Sequence, residues 1–171
     1  MSEGNYIEVF TERDRILENL RYAFEAESWA SHSVLEMLKG VTANEAAAKP
    51  VSGAHSIWEI VLHMAVWKRV PRLRLEGDVH QPSPEEDWQQ VTDTSDAAWE
   101  KAKQALIDEH NKLVKAVEKV DDAKLEEQIP AGGGLTHSKR IWGAIQHDAY
   151  HNGQIGVIKK ALGLTVYSWT Q

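Results

Sequence analysis

Residues 138–162 read SKRIWGAIQHDAYHNGQIGVIKKAL, and this stretch decides the fold. Ile141, Ala144, Ile145, Ile155, Ile158 and Leu162 recur in steps that keep to one face of an α-helix. Gly163 follows as a C-cap. His147 and His151 stand four residues apart, which puts them on one face, a turn apart. At about 100° per residue, His151 falls inside the apolar stripe and His147 on its flank. A buried imidazole needs a partner. Either the two histidines are satisfied separately, or they share one ligand.

Outward from this helix, three more segments carry the same period. One spans about Thr11 to Lys39, with Leu17, Leu20, Phe24, Glu27, Ser31, Val34 and Leu38 on its stripe and Gly40 as its stop. The next begins at the capping box Ser56-Ile57-Trp58-Glu59 and carries Ile57, Ile60, Val61, Met64 and Trp67. Pro71 is a point where it kinks or ends before Gly77. The third runs from about Ser95 to Val120, through Ala98, Ala102, Ala105, Leu106, Leu113 and Val117. Few alternating runs compete, so strands are minor. The connections are long. Thr42 to Glu45 forms a second capping box, Ser83 is placed to cap one more turn, and Gly132-Gly133-Gly134 reads as a hairpin or lid. No Gly-Lys-Ser/Thr follows the glycines, so they are not a phosphate-binding loop. Long linkers free neighbouring helices from strict up-and-down order. The expectation is an all-α four-helix bundle with long crossover connections, one domain over residues 1–171.

Composition narrows the function. The chain has 171 residues, no cysteine and a formal net charge of −7. Thiolate metal sites, disulfides and cysteine nucleophiles are excluded. A basic nucleic-acid face is not expected. There is neither a signal peptide nor a run long enough for a membrane span, so a cytoplasmic protein is expected.

His63 is the third metal-ligand candidate, on the flank of the Ile57–Trp67 stripe where a neighbouring helix can face it. Three histidines make the ligand set of an open zinc-type site, and an octahedral arrangement of three also suits nickel, iron or manganese. The segment His55-Ser56-Ile57-Trp58-Glu59-Ile60-Val61-Leu62-His63-Met64, followed by His147-Asp148-Ala149-Tyr150-His151-Asn152-Gly153-Gln154-Ile155, resembles the DinB-like (damage-inducible) metalloprotein family. The resemblance extends over nearly the whole chain in helix order and length. It implies a four-helix bundle with a long crossover and a divalent metal held by His63, His147 and His151. Where the family often has His-Arg-Gly-Gln, this chain has His151-Asn152-Gly153-Gln154, so an anion contact by that Arg is not carried over. Some relatives use a low-molecular-weight thiol, as bacillithiol- or mycothiol-dependent transferases.

Other residues are weighed beside these. Glu59 could support a ligating histidine, but its capping box already employs it. Asp148 faces inward and either backs a histidine or pairs with a base on another helix. Gln154 and Asn152 read as packing and capping groups with a lesser claim on the site. Glu27, with Ser28 and Ser31, interrupts the first stripe as a solvated edge residue or as an extra ligand or base. His32, His80 and His137 sit in polar contexts, His110 lies on a core stripe, and His55 precedes a helix cap, with a lesser claim to border the pocket. Trp58 is assigned to the core. No paired Glu-x-x-His motifs, Gly-x-Ser-x-Gly or His-Glu-x-x-His occur, which argues against di-iron, serine-hydrolase and zincin chemistry.

The expected function is a divalent-metal-dependent thiol S-transferase of bacillithiol type, acting on small electrophiles. The metal would be zinc or nickel first, with iron or manganese as alternatives. A metal-dependent hydrolase, or a non-catalytic metal-stabilised stress or partner-binding module, stands beside it. A small-molecule substrate and a homodimer are expected, with neither nucleic acid nor membrane as partner.

Overall fold

A computed structural model describes residues 10–26, 32–130 and 132–166. Four long helices form a bundle: α1 (Glu12–Phe24), α4 (Ile57–Leu75), α6 (Asp96–Glu118) and α8 (His137–Ala161). Short helices lie between them: α2 (Val34–Leu38), α3 (Ala43–Ala47), α5 (Pro84–Asp87) and α7 (Asp122–Glu126). Reciprocal capping boxes start five of the eight, at Thr11–Asp14, Ser33–Glu36, Thr42–Glu45, Ser56–Glu59 and Ser83–Glu86. Each satisfies orphan N–H groups and sets an acidic side chain against the positive end of the helix.

The expected single helix over Thr11–Lys39 is two helices. α1 stops at Phe24, and Ser33 restarts the chain by accepting from the Glu36 N–H while Glu36 accepts from Ser33. Glu27, Ser28 and Ser31 lie outside the described residues. α4 continues through Pro71, which is buried inside it. α7, capped by Asp121, was not foreseen. The glycine triplet is a hairpin: Gln128 bridges Thr136, and the Ile129 N–H donates to the Leu135 carbonyl at 2.9 Å. A Cβ at Gly132 would lie 2.8 Å from the Ile129 Cβ, so the tight turn requires glycine there.

The bundle order is not sequential. α4 lies beside α6 and α8, and α1 beside α8 and α6, so α1 and α4 sit on one diagonal. Two apolar clusters fill the interior. One gathers Phe24, Val34, Met64, Trp58, Trp99 and Ile155 with their neighbours. The other gathers Ile16, Leu20, Leu113, Val117, Leu125 and Ile141. The buried side chains of Lys68, His110 and Asp148 come from three of the long helices. No helix among the described residues is long and apolar enough to cross a membrane.

Candidate metal centre

His63 leaves the middle of α4, and His147 and His151 leave successive turns of α8, the helix packed against it. The His147 Nε2 lies 3.0 Å from the Nε2 of His63 and 3.0 Å from that of His151. One nitrogen from each ring falls within 4.8 Å of the others, an arrangement that can hold a metal ion. His63 and His151 are 6% and 2% exposed, while His147 is half-buried and turned to the rim.

The far nitrogens fix the tautomers. His63 Nδ1–H donates to Asp87, at 3.1 Å from its carbonyl and 2.9 Å from its Oδ1. His151 Nδ1–H donates to Gln154 Oε1 at 2.7 Å. A ring that donates from Nδ1 presents a bare lone pair at Nε2. Two such lone pairs therefore aim at His147, which is the donor chemistry a divalent cation requires. Electrostatics keep the rings neutral. Burial, followed by the facing His151 and His63, pushes His147 down to about 3. Burial likewise pushes His151 down to about 4, against the pull of Gln154, and lowers His63 against the pull of Asp87.

Several supporting groups come from α5 and its C-cap. Asp87 also accepts from Trp67 Nε1–H at 2.6 Å, so one carboxylate positions both a histidine and an indole of α4. Trp88 stacks between two imidazoles, with ring centroids 3.9 Å from His63 and 3.6 Å from His55. The sequence reading missed Asp87 and Trp88. Only the Ser83 cap hinted at a turn here, and no local spacing says that it folds back onto α4. Trp67, one turn after His63 and on the stripe that His63 flanks, was readable.

The other candidates are sorted by their contacts. Glu59 completes its capping box and pairs with Lys49 at 2.8 Å. Asp148 pairs with Lys68 of α4, both 1% exposed, so its partner is a base on another helix. Asn152 donates to the His32 carbonyl at 2.8 Å, away from the cluster. His55 stacks on Trp88 and so borders the site. His110 is fully buried and stacked on Phe24. His80 is exposed and pairs with Glu86, whereas His137, assigned to a polar context, is buried. Trp58 is in the core, as expected.

A cavity of about 230 Å³ reaches His147 from one side, walled by Trp67, Pro71, Leu135, Gly143 and Ala144. Among the described residues no carboxylate joins the three histidines as a fourth ligand.

Fold and site together define a class: a four-helix bundle in which two packed helices share a three-histidine cluster. The chain belongs to the DinB superfamily, whose family model matches residues 28–155. The crystal structure of YjoA from Bacillus subtilis, a DinB-like protein, is similar over 92% of this chain and 98% of that one, with a TM-score of 0.64 and 18% identity. YfiT from Bacillus subtilis is similar over 96% of this chain and 97% of its own, with a TM-score of 0.68 and 14% identity. That protein is described as a probable metal-dependent hydrolase with an unusual four-helix bundle topology. No curated protein matches this sequence.

Proposed function

We propose that His63, His147 and His151 hold one divalent metal ion, and that the chain is a metal-dependent enzyme that transfers a low-molecular-weight thiol to a small electrophile. The observation that carries the reading is the convergence of three Nε2 atoms beside an open cavity, with no carboxylate among the described residues closing the set. When bound, the ion supplies Lewis acidity that favours the thiolate at neutral pH. The protein residues do the rest. Asp87 and Gln154 hold two imidazoles in the ligating tautomer. Trp88 and Trp67 fix the His63 ring and keep bulk water from that side. The apolar walls at Trp67, Pro71 and Leu135 suit an organic substrate and desolvate a sulfur nucleophile. In the transfer the S–H proton is released to solvent, sulfur forms a bond to the electrophilic carbon, and the carbon's leaving group departs with its electron pair.

Hydrolysis is the second reading, favoured by the description of YfiT. The same three histidines would then hold an ion that activates water in place of the thiol. The metal content of the wild type and His151→Ala, measured side by side by plasma mass spectrometry, tests the common part. About one ion per chain, lost in the variant, supports the reading, and no ion after loading with zinc, nickel or manganese sinks it. Bacillithiol with a generic aryl halide, against an activated ester in buffer alone, then separates transferase from hydrolase.

A further inference from the structure

The cavity beside His147 has a second feature that the metal reading leaves unused. Lys139 and Arg140 of α8 also line it, and among the described residues no acidic one does. The chain as a whole is acidic, at −7, so an uncompensated cationic wall is not its average surface. The buried Arg140 Nε has no hydrogen-bond partner, and neither Lys139 nor Arg140 forms an ion pair among the described residues. Arg74 stands close enough to feel Arg140: burial first, and then that guanidinium, lower its pKa. Arg74 is tied to the Asp78 and His80 carbonyls at 2.6 and 2.7 Å, so it cannot turn away. Arg140, Ala144 and His147 fall on one face of α8 at helical steps. Arg140 and His147 are thus about 10 Å apart along the axis.

We propose that this cavity seats a carboxylate carried by the substrate, gripped by Arg140 with Lys139 beside it, while the other end of the molecule reaches the histidine cluster. A guanidinium offers two parallel N–H donors that match a carboxylate, and an anion there cancels repulsion already present in the folded chain. The volume is below that of a drug-sized site, so the substrate is a short organic acid or the acidic arm of a larger one. The carboxylate seat stands on the cavity alone. The reach to the histidines rests on the metal-centre reading.

The test has two arms. In the first, metal-free protein is titrated with hexanoate and with hexanol, and backbone amide shifts are followed by NMR. The Gly143 and Ala144 amides should move with hexanoate and not with hexanol. Arg140→Gln should abolish that shift, Arg140→Lys should keep part of it as a point charge, and Lys139→Gln, at an exposed position, should weaken it several-fold. Unchanged peaks elsewhere in each variant report that it is folded. No cavity shift in the wild type, or an equal one in Arg140→Gln, overturns the proposal.

In the second arm, cobalt-loaded protein is titrated with ω-mercaptohexanoate and ω-mercaptohexanol, reading the thiolate-to-cobalt absorption band. The acid should bind about tenfold more tightly, and Arg140→Gln should erase that preference. Equal affinities in the wild type overturn the seat's role in substrate choice. No band with either thiol, while hexanoate still moves Gly143, sinks the thiol reading and leaves the carboxylate seat standing.

Discussion

α4 and α8 meet through polar side chains twice, and the two meetings differ in what they lack. At one, the Nε2 atoms of His63 and His151 both face that of His147 at 3.0 Å, where a single His147 proton serves at most one of them well. At the other, Lys68 faces Asp148, and opposite charges cancel inside the bundle with both side chains 1% exposed. His147 and Asp148 are adjacent in sequence and point to different fates. Burial pushes the Asp148 carboxyl up while the Lys68 ammonium pulls it down, and that ammonium also sits 5.2 Å from the Phe24 ring centroid. The charges of the ion pair balance within the chain, although Asp148 Oδ1 has no hydrogen-bond partner among the described residues. In the histidine cluster three Nε2 atoms share at most one proton, so at least one acceptor is left unfilled by the others. A polar contact that is complete within the fold serves the fold, and one that is incomplete serves a ligand.

The sharpest way to break this contrast is to unbalance the complete contact. Asp148→Ala leaves the Lys68 ammonium buried without a counter-charge, and should cost about 3–5 kcal/mol in urea denaturation. Replacing both partners, as Lys68→Met with Asp148→Leu, should lie within about 2 kcal/mol of the wild type, because no orphan charge remains. A double variant as unstable as the single one would show that the pair does more than neutralise itself. The incomplete contact should respond in reverse. In metal-free protein His147→Ala should change stability by less than about 1 kcal/mol, since it removes a half-buried rim residue that donates at most one neutral hydrogen bond to its two neighbours. Zinc at a thousandfold over its dissociation constant should stabilise the wild type by about 4 kcal/mol and the variant hardly at all.

Acid should separate the regions next. His110 of α6 is pushed down to about 2, by burial first and then by Lys68 and Arg21. It stacks on Phe24 at 3.9 Å between centroids, and its Nε2 lies 3.2 Å from Glu25 Oε1. The folded chain keeps this imidazole neutral, whereas the unfolded chain protonates it near the ordinary imidazole value of 6.5. Its contribution is therefore full above that pH and is lost as pH falls toward the folded value. From pH 7 to pH 5 the loss is roughly 2 kcal/mol for one such group. His110→Gln should make the acid limb of the metal-free protein shallower by that amount. His147 and His151 add the same sign of dependence, so the variant should retain part of the slope. An unaltered slope would mean that His110 already carries its proton in the fold.

How much of this was legible follows from which forces act locally. α4, α6 and α8 were readable because long apolar periods and cap residues record burial and termini in the sequence itself. The break between α1 and α2 was misread because Val34 and Leu38 continue the spacing of Leu20 and Phe24, although Ser33 and Glu36 carried the restart in plain view. His147 and His151 were readable as an i, i+4 pair, and His63 as a stripe flank. Asp87 was not, since its role depends on a four-residue helix folding back onto α4, a contact across the chain that leaves no periodic mark. Lys68 was hidden for another reason. A lysine is almost never fully buried unless paired, and its partner lies 80 residues away. Gln154 was visible, but its contact with His151 competed with a plain packing role.

That last contact yields the smallest effect and the finest test of the contrast. The His151 ring has two nitrogens, and what Nδ1–H donates to decides how good a donor Nε2 is. Gln154 Oε1 accepts from it at 2.7 Å. Gln154→Ala removes the acceptor and should weaken zinc binding about tenfold, with little change in metal-free stability because the residue is half-buried. Gln154→Glu replaces a neutral acceptor with a charged one and should tighten binding several-fold by making the ring more basic. The two substitutions must therefore act with opposite signs on zinc affinity, measured by competition with a chromogenic chelator. If both weaken it equally, Gln154 only packs against the ring, and the orientation that aims His151 Nε2 into the cluster has another cause. If both leave it unchanged, His151 does not ligate through Nε2, and the incomplete contact between α4 and α8 is incomplete for a different ligand.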